Sequence, residues 1–277
     1  MTKYPSEVFG HTHRIESPTA HDKEKYWCPF VDKRCNKQSR LVSIPFGVCM
    51  VHYDGEEIAL CPRRFLENLT VFKDIAKHCF GSEDNIIVFP EVGLRNIGNF
   101  DFVMVKHKPF STDIEDFAVV ELQTGQTTGT GALVKGFQDF LSGKKVSETT
   151  YGFGINYYDI WKRTFTQVLN KGIVVEGWGK RIYWVCQEPV YRYFIQKYRI
   201  SDLGYDETHA TVFAIYDVKQ VSDKFFLFPT RKTSATVDDL FLKFRNNPNL
   251  PPLDSFIKAL RKRIAAKPRL EIRLKGS

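Results

Sequence analysis

Asp101 and Glu121 are carboxylates set inside short apolar runs, Phe100–Val105 and Phe117–Leu122. An unpaired charge in such a setting costs several kcal/mol, on the order of a lost buried ion pair. Two carboxylates on neighbouring strands would also repel unless a divalent cation lay between them. Hard oxygen donors of this kind suit Mg²⁺, which can polarise a phosphodiester and acidify a water. Gln123 stands two residues beyond Glu121, on the same face of an extended strand. Its amide can orient a water or a phosphate oxygen but cannot ionise. Proton removal would then fall to the metal-activated water, assisted by a carboxylate such as Glu91. The competing reading is structural: both acids pair with Lys106 or Lys108 at strand ends.

Acidic residue, spacer, Glu-x-Lys on a β-hairpin is the pattern of the PD-(D/E)xK nucleases, here with Gln in the lysine position. A second constellation lies upstream. Cys28, Cys35, Cys49 and Cys61 are separated by six, thirteen and eleven residues. Four converging thiolates suit zinc or iron, and would lend folding energy to a segment short of apolar core. Four independent buried thiols are the alternative. Cys79 and Cys186 read as packing residues. His11, His13 and His21 could join a metal site or simply lie on the surface near the terminus.

These side chains need a scaffold. Strands are expected at Ile86–Phe89, Phe100–Val105, Phe117–Leu122, Ile182–Cys186, Val212–Tyr216 and Phe225–Phe228. Helical spacing recurs at Leu133–Leu141, Ile160–Leu169, Val190–Tyr198 and Val237–Phe244. A last helix, Leu253–Ala265, is expected to turn Phe256, Ile257, Leu260 and Ile264 inward. The fold class is therefore α/β: a mixed β-sheet flanked by helices, with a small N-terminal tetracysteine region. Residues 1–80 form the cysteine-rich metal-binding region and 81–277 the catalytic domain, ending in a basic helix and tail.

The 277 residues carry 40 Lys+Arg against 32 Asp+Glu, a net +8. Eight basic residues against two acidic ones place +6 of that in the last 28 residues, which attracts polyanions. No apolar run is long enough to span a bilayer, no secretory signal is evident, and six cysteines are too few for a disulfide scaffold. A cytoplasmic protein with reduced thiols is the expectation. The loop Thr124–Gly131 follows a strand and precedes a helix but lacks the Gly-Lys-Ser/Thr ending of a phosphate-binding loop, so DNA-backbone contact suits it better. The rings of Tyr151–Arg163 read mainly as core. Lys180, Arg181, Arg192, Lys197 and Arg199 are candidate phosphate contacts.

Five stretches, in order, resemble one family: YWCPFVDKRCNK (26–37), PFGVCMV (45–51), CPRRFLEN (61–68), NFDFVMV (99–105) and AVVELQTG (118–125). The chain is similar to restriction endonucleases of the NotI type. The resemblance implies a homodimeric, Mg²⁺-dependent type II deoxyribonuclease with a restriction-endonuclease core, cutting double-stranded DNA at palindromic, GC-rich sites. A cognate DNA methyltransferase would belong to the same system. It also implies that Cys28, Cys35, Cys49 and Cys61 hold a structural iron, that Asp101 and Glu121 bind the catalytic metal, that Gln123 replaces the lysine, and that Glu91 is an additional acid. Two rival functions are a non-catalytic, metal-stabilised DNA-binding protein and a structure-selective repair nuclease.

Overall fold

The computed structural model describes residues 2–12, 26–198, 203–222, 224–246 and 252–266. The chain opens with β1 (Lys3–Val8), β2 (His11–Thr12), the small hairpin β3 (Trp27–Cys28) and β4 (Lys33–Arg34), then β5 (Val48–Tyr53) and β6 (Glu56–Ala59). Four of these strands form an antiparallel sheet in the order β2-β1-β5-β6. Tight 3₁₀ turns over Pro62–Leu69 lead into α1 (Thr70–Phe80). The sequence reading saw little periodicity here. The strands are short, and register shifts between Pro5, Glu7 and Val8 break the alternation on which such a reading depends.

A meander of β7 (Ile86–Leu94), β8 (Gly98–His107) and β9 (Ile114–Gln123) follows. Next come β10 (Thr127–Thr128), α2 (Thr130–Leu141), β11 (Gly154–Ile155) and α3 (Tyr157–Gln167). A single π-helical turn, Val168–Gly172, joins α3 to α4 (Ile173–Gly177). The chain ends in β12 (Arg181–Gln187), α5 (Glu188–Tyr198), β13 (Thr211–Val221), β14 (Lys224–Ala235), α6 (Val237–Arg245) and α7 (Leu253–Ala265).

Six strands make the central sheet, ordered β14-β13-β12-β9-β8-β7. β9, β12 and β13 run parallel, and the outer pairings are antiparallel. The parallel strands are almost continuously apolar, as strands covered on both faces must be. On one face Val119, Trp184 and Phe213 pack with Ile160 and Trp161 of α3, Phe194 of α5 and Leu240 of α6. On the other, Met104, Val120 and Tyr183 pack with Phe65 and with Val71, Phe72 and Ile75 of α1. Met50 and Ala59 of the N-terminal sheet join this second cluster. A third cluster seats α2, through Leu133 and Phe137, on Val8, Val48 and Ile58.

This is the mixed sheet flanked by helices that the sequence predicts, with every expected strand present and lengthened. One expectation is corrected. The apolar stripe of α7 does not turn inward: Phe256, Leu260 and Ile264 are exposed, and no residue of the helix is buried. Spacing reveals that a helix has an apolar side, but not what covers it. Of the basic C-terminal residues, Lys258, Arg261, Lys262 and Arg263 lie on α7. Lys267, Arg269, Arg273 and Lys275 lie outside the described residues, as do His13, His21 and Arg199. No described helix is long and apolar enough to cross a membrane.

Candidate active site

The register of the meander fixes the site. Phe102 pairs with Val120 and Val103 with Val119, which sets Asp101 opposite Glu121. On the other side Pro90 pairs with Phe102 and Val92 with Phe100, which sets Glu91 opposite Asp101. Three acids thus stand in one row across β7, β8 and β9. Glu91 breaks the ladder with a φ of 53°, a left-handed conformation that a β-strand interior rarely tolerates.

Each central carboxylate is tied to the other's strand. Asp101 Oδ2 accepts from the Leu122 N–H at 2.8 Å, and Glu121 Oε1 lies 3.4 Å from the Asp101 N–H. Glu121 is fully buried, and its Oε2 has no hydrogen-bond partner among the described residues. Burial and the nearby Asp101 charge push its pKa up to about 7, against the opposing pull of Lys171. Lys171 Nζ donates to Glu121 Oε1 at 2.7 Å and to the Asn99 carbonyl at 2.6 Å. The expected partners are elsewhere: Lys106 donates to the Phe80 carbonyl and Lys108 pairs with Asp113.

Gln123 projects to the same side as Glu121, as strand alternation requires, but its amide is held by α3. Its Oε1 accepts from the Thr164 hydroxyl at 2.7 Å and its Nε2 donates to Gln167 Oε1 at 3.1 Å. Asn156 caps that helix by accepting from the Asp159 N–H, which fixes where its first turn begins. A cleft of about 390 Å³ opens above these groups. Glu91, Asp101, Gln123, Thr124, Gln167 and the two arginines Arg63 and Arg163 line it. Carboxylates and guanidinium groups lining one cleft suit a metal-assisted attack on a phosphodiester. Glu121 lies beneath the lining rather than in it.

Residues 8–226 match the family described as Restriction endonuclease NotI. The chain belongs to the NotI restriction endonuclease family. No individual curated protein matches it. As a NotI-family protein it is a type II restriction endonuclease, a nuclease that hydrolyses DNA at specific sequences. The rival readings of a non-catalytic DNA-binding protein and a repair nuclease give way to this membership.

Within the stretch CPRRFLEN (61–68) the two arginines have parted roles. Arg63 faces the cleft, whereas Arg64 is buried between Glu7 and Glu67, each at 2.9 Å, and donates to the Phe225 carbonyl. Of the candidate phosphate contacts, Lys180 pairs with Asp116, Arg181 donates to the Glu207 carbonyl and Arg192 pairs with Glu56. Arg163 and Lys171 escaped the sequence reading. The signal for Lys171 was available, since it continues the apolar stripe of Thr164 and Val168 at helical spacing, where a charge needs a reason.

The four cysteines are all buried. Cys28 and Cys35 belong to the β3–β4 hairpin, and Cys49 and Cys61 bracket the β5–β6 hairpin, where the Cys61 N–H meets the Cys49 carbonyl. Burial pushes the Cys49 and Cys61 thiols up. Cys61 is also raised by Cys28 and Cys35, and Cys49 by Glu7 and Cys61. Lys37, which donates to the Val48 carbonyl, pulls the other way on both. Among the described residues no three His, Cys, Asp or Glu side chains are drawn tightly enough together to form a ready-made ion site.

Proposed function

We propose that the cleft over Glu91, Asp101 and Glu121 is the catalytic centre of a Mg²⁺-dependent endonuclease. It acts in the cytoplasm as a homodimer on palindromic, GC-rich double-stranded DNA, alongside a cognate DNA methyltransferase. The observation that carries the reading is the row of acids, in which the buried Glu121 Oε2 has no hydrogen-bond partner among the described residues. An unsatisfied carboxylate oxygen just beneath a cleft lined by Asp101 and Glu91 suits a divalent cation. A cation held by Asp101 and Glu121 supplies polarisation of the phosphodiester and a more acidic attacking water.

The protein's own residues do the rest. Gln123, held by Thr164 and Gln167, presents an amide of fixed orientation where the related pattern has lysine. Arg63 and Arg163 bind phosphate oxygens at the rim, and Glu91, exposed beside Asp101, takes up the proton of the water. Two subunits cut one strand each, because a two-fold site on DNA mirrors a two-fold protein.

Residues 1–80 act, in this reading, as a metal-stabilised support for the catalytic residues 81–277. The division is one of labour, since both parts share a core. Four soft sulfur donors on two adjoining hairpins suit iron or zinc in that support.

The test is cleavage of supercoiled plasmid with Mg²⁺. Asp101→Ala and Glu121→Ala should each abolish cutting while both variants still bind DNA in Ca²⁺. Turnover retained in either variant would show that the wrong carboxylates are assigned.

A further inference from the structure

Resting on that reading of the site, we propose that Lys171 is a positioning residue for Glu121, delivering from the π-helical turn the ammonium that strand β9 lacks at Gln123. Three observations converge. First, Lys171 is almost fully buried, and its Nζ reaches Glu121 Oε1 at 2.7 Å and the Asn99 carbonyl at 2.6 Å. It bridges the strand that carries Asp101 and the strand that carries Glu121.

Secondly, the grip is one-sided. Lys171 and the Asp101 N–H both meet Oε1, and Oε2 is left buried with no partner among the described residues. A carboxylate fixed through one oxygen has a fixed rotamer, and the other oxygen is the one available to a cation. Thirdly, the backbone departs from the α-helix at this point. The π-helical turn Val168–Gly172 holds Lys171 at its fourth position, and such insertions are rare and concentrate at functional sites. A Cβ on Gly172 would come within 3.1 Å of the Val237 side chain, so the turn is pressed close against α6.

The alternative is that Lys171 merely seals a buried acid and keeps cations out. The two roles predict opposite signs. For a positioning residue, Lys171→Met lowers the single-turnover cleavage rate at saturating Mg²⁺ by about 100-fold, the scale of losing one preorganised electrostatic contact. Mn²⁺ affinity of the full-length protein, read from the electron paramagnetic resonance of the free ion, holds or tightens because a repelling charge has gone. Returning the ammonium on the strand, in Gln123→Lys/Lys171→Met, restores at least about a tenth of the rate.

An unchanged or faster rate in Lys171→Met overturns the proposal. So does weakened Mn²⁺ binding that accounts for the whole loss of rate, which is the signature of local collapse. Should Lys171→Met fail to fold, Lys171→Arg decides. It keeps the charge, but a wider head between Asn99 and Glu121 should slow cleavage about tenfold. A wild-type rate in Lys171→Arg overturns the proposal. Glu121→Gln run in parallel separates the failures: if it still cuts, the reading of the site has failed; if it is inactive while Lys171→Met is not, only the role of Lys171 has.

Discussion

The Lys171–Glu121 pair should be worth little to the fold and nearly everything to the site, and a double-mutant cycle can show it. At 2.7 Å and an effective dielectric near 20, the Coulomb attraction is about 6 kcal/mol. Burying each ion costs several kcal/mol, so the pair comes out close to neutral. Removing one partner is different. Glu121→Gln leaves a buried ammonium with no counter-charge, only neutral acceptors in the Asn99 carbonyl and the new amide oxygen and the Phe100 ring beneath it, which should cost about 3–5 kcal/mol. Lys171→Met leaves a carboxyl whose pKa already stands at about 7, so it can take up a proton and escape part of the penalty near neutral pH. The double variant Glu121→Gln/Lys171→Met should return to within about 1 kcal/mol of the parent, or exceed it, while cutting no DNA. Urea unfolding in chelator-containing buffer, followed by tryptophan fluorescence, measures all four corners. Single-variant losses that add up in the double to within about 0.5 kcal/mol would refute the argument, because the two groups would then not be coupled.

Three further outcomes are expected. Thr164→Val frees the Gln123 carbonyl; cleavage should drop about tenfold while the melting temperature shifts by only a few degrees, and a rate equal to the parent's would show that the amide's orientation is immaterial. Burial, against the pull of Arg64, raises the Glu7 pKa to about 7, above the value of an unfolded glutamate, so the native state binds the extra proton and stability should fall as pH rises from about 5 through about 7, then level off. Glu7→Gln should flatten that fall in denaturant titrations across pH, and a stability that rises over the same window would contradict the assignment. Finally, elemental analysis of the purified chain should find about one iron or zinc per chain. Cys49→Ala should lose both that metal and the cooperative unfolding of the N-terminal sheet, whereas a metal-free parent with the same unfolding curve would leave four ordinary thiols.

The parts of the fold that were legible are those with long, consistent patterns. The apolar runs of β9, β12 and β13 could be only covered strands, and the residue types at Asp101, Glu121 and Gln123 stood out because charge and amide interrupt those runs. Other parts were hidden for physical reasons. Strands of two to six residues with bulges leave no period to detect, so the N-terminal sheet was invisible. The partner of Glu121 lies fifty residues downstream, beyond α2 and α3 and within the π-helical turn. A contact of that kind is created by the packing, and local pattern pointed instead to the nearby Lys106 and Lys108. The exposed stripe of α7 shows the same gap, since periodicity names a side and says nothing of its surroundings.

Gln187 at the end of β12 receives the Ala59 N–H on its Oε1 and donates from Nε2 to the Glu57 carbonyl. A few residues beyond the acids, Gly125 presses so closely on β6 that a Cβ there would stand 2.8 Å from the Ile58 side chain and 3.0 Å from the Ala59 oxygen, while its N–H donates to that same oxygen at 2.8 Å. The last residue of β6 is thereby bolted at once to β12 and to the loop that leaves β9, two positions before Cys61. Loosening of the cysteine hairpin therefore has no slack in which to dissipate: it is handed directly to Thr124 and the mouth of the cleft. A fault in the distant buttress would register as misalignment of the cutting edge long before the sheet itself came apart.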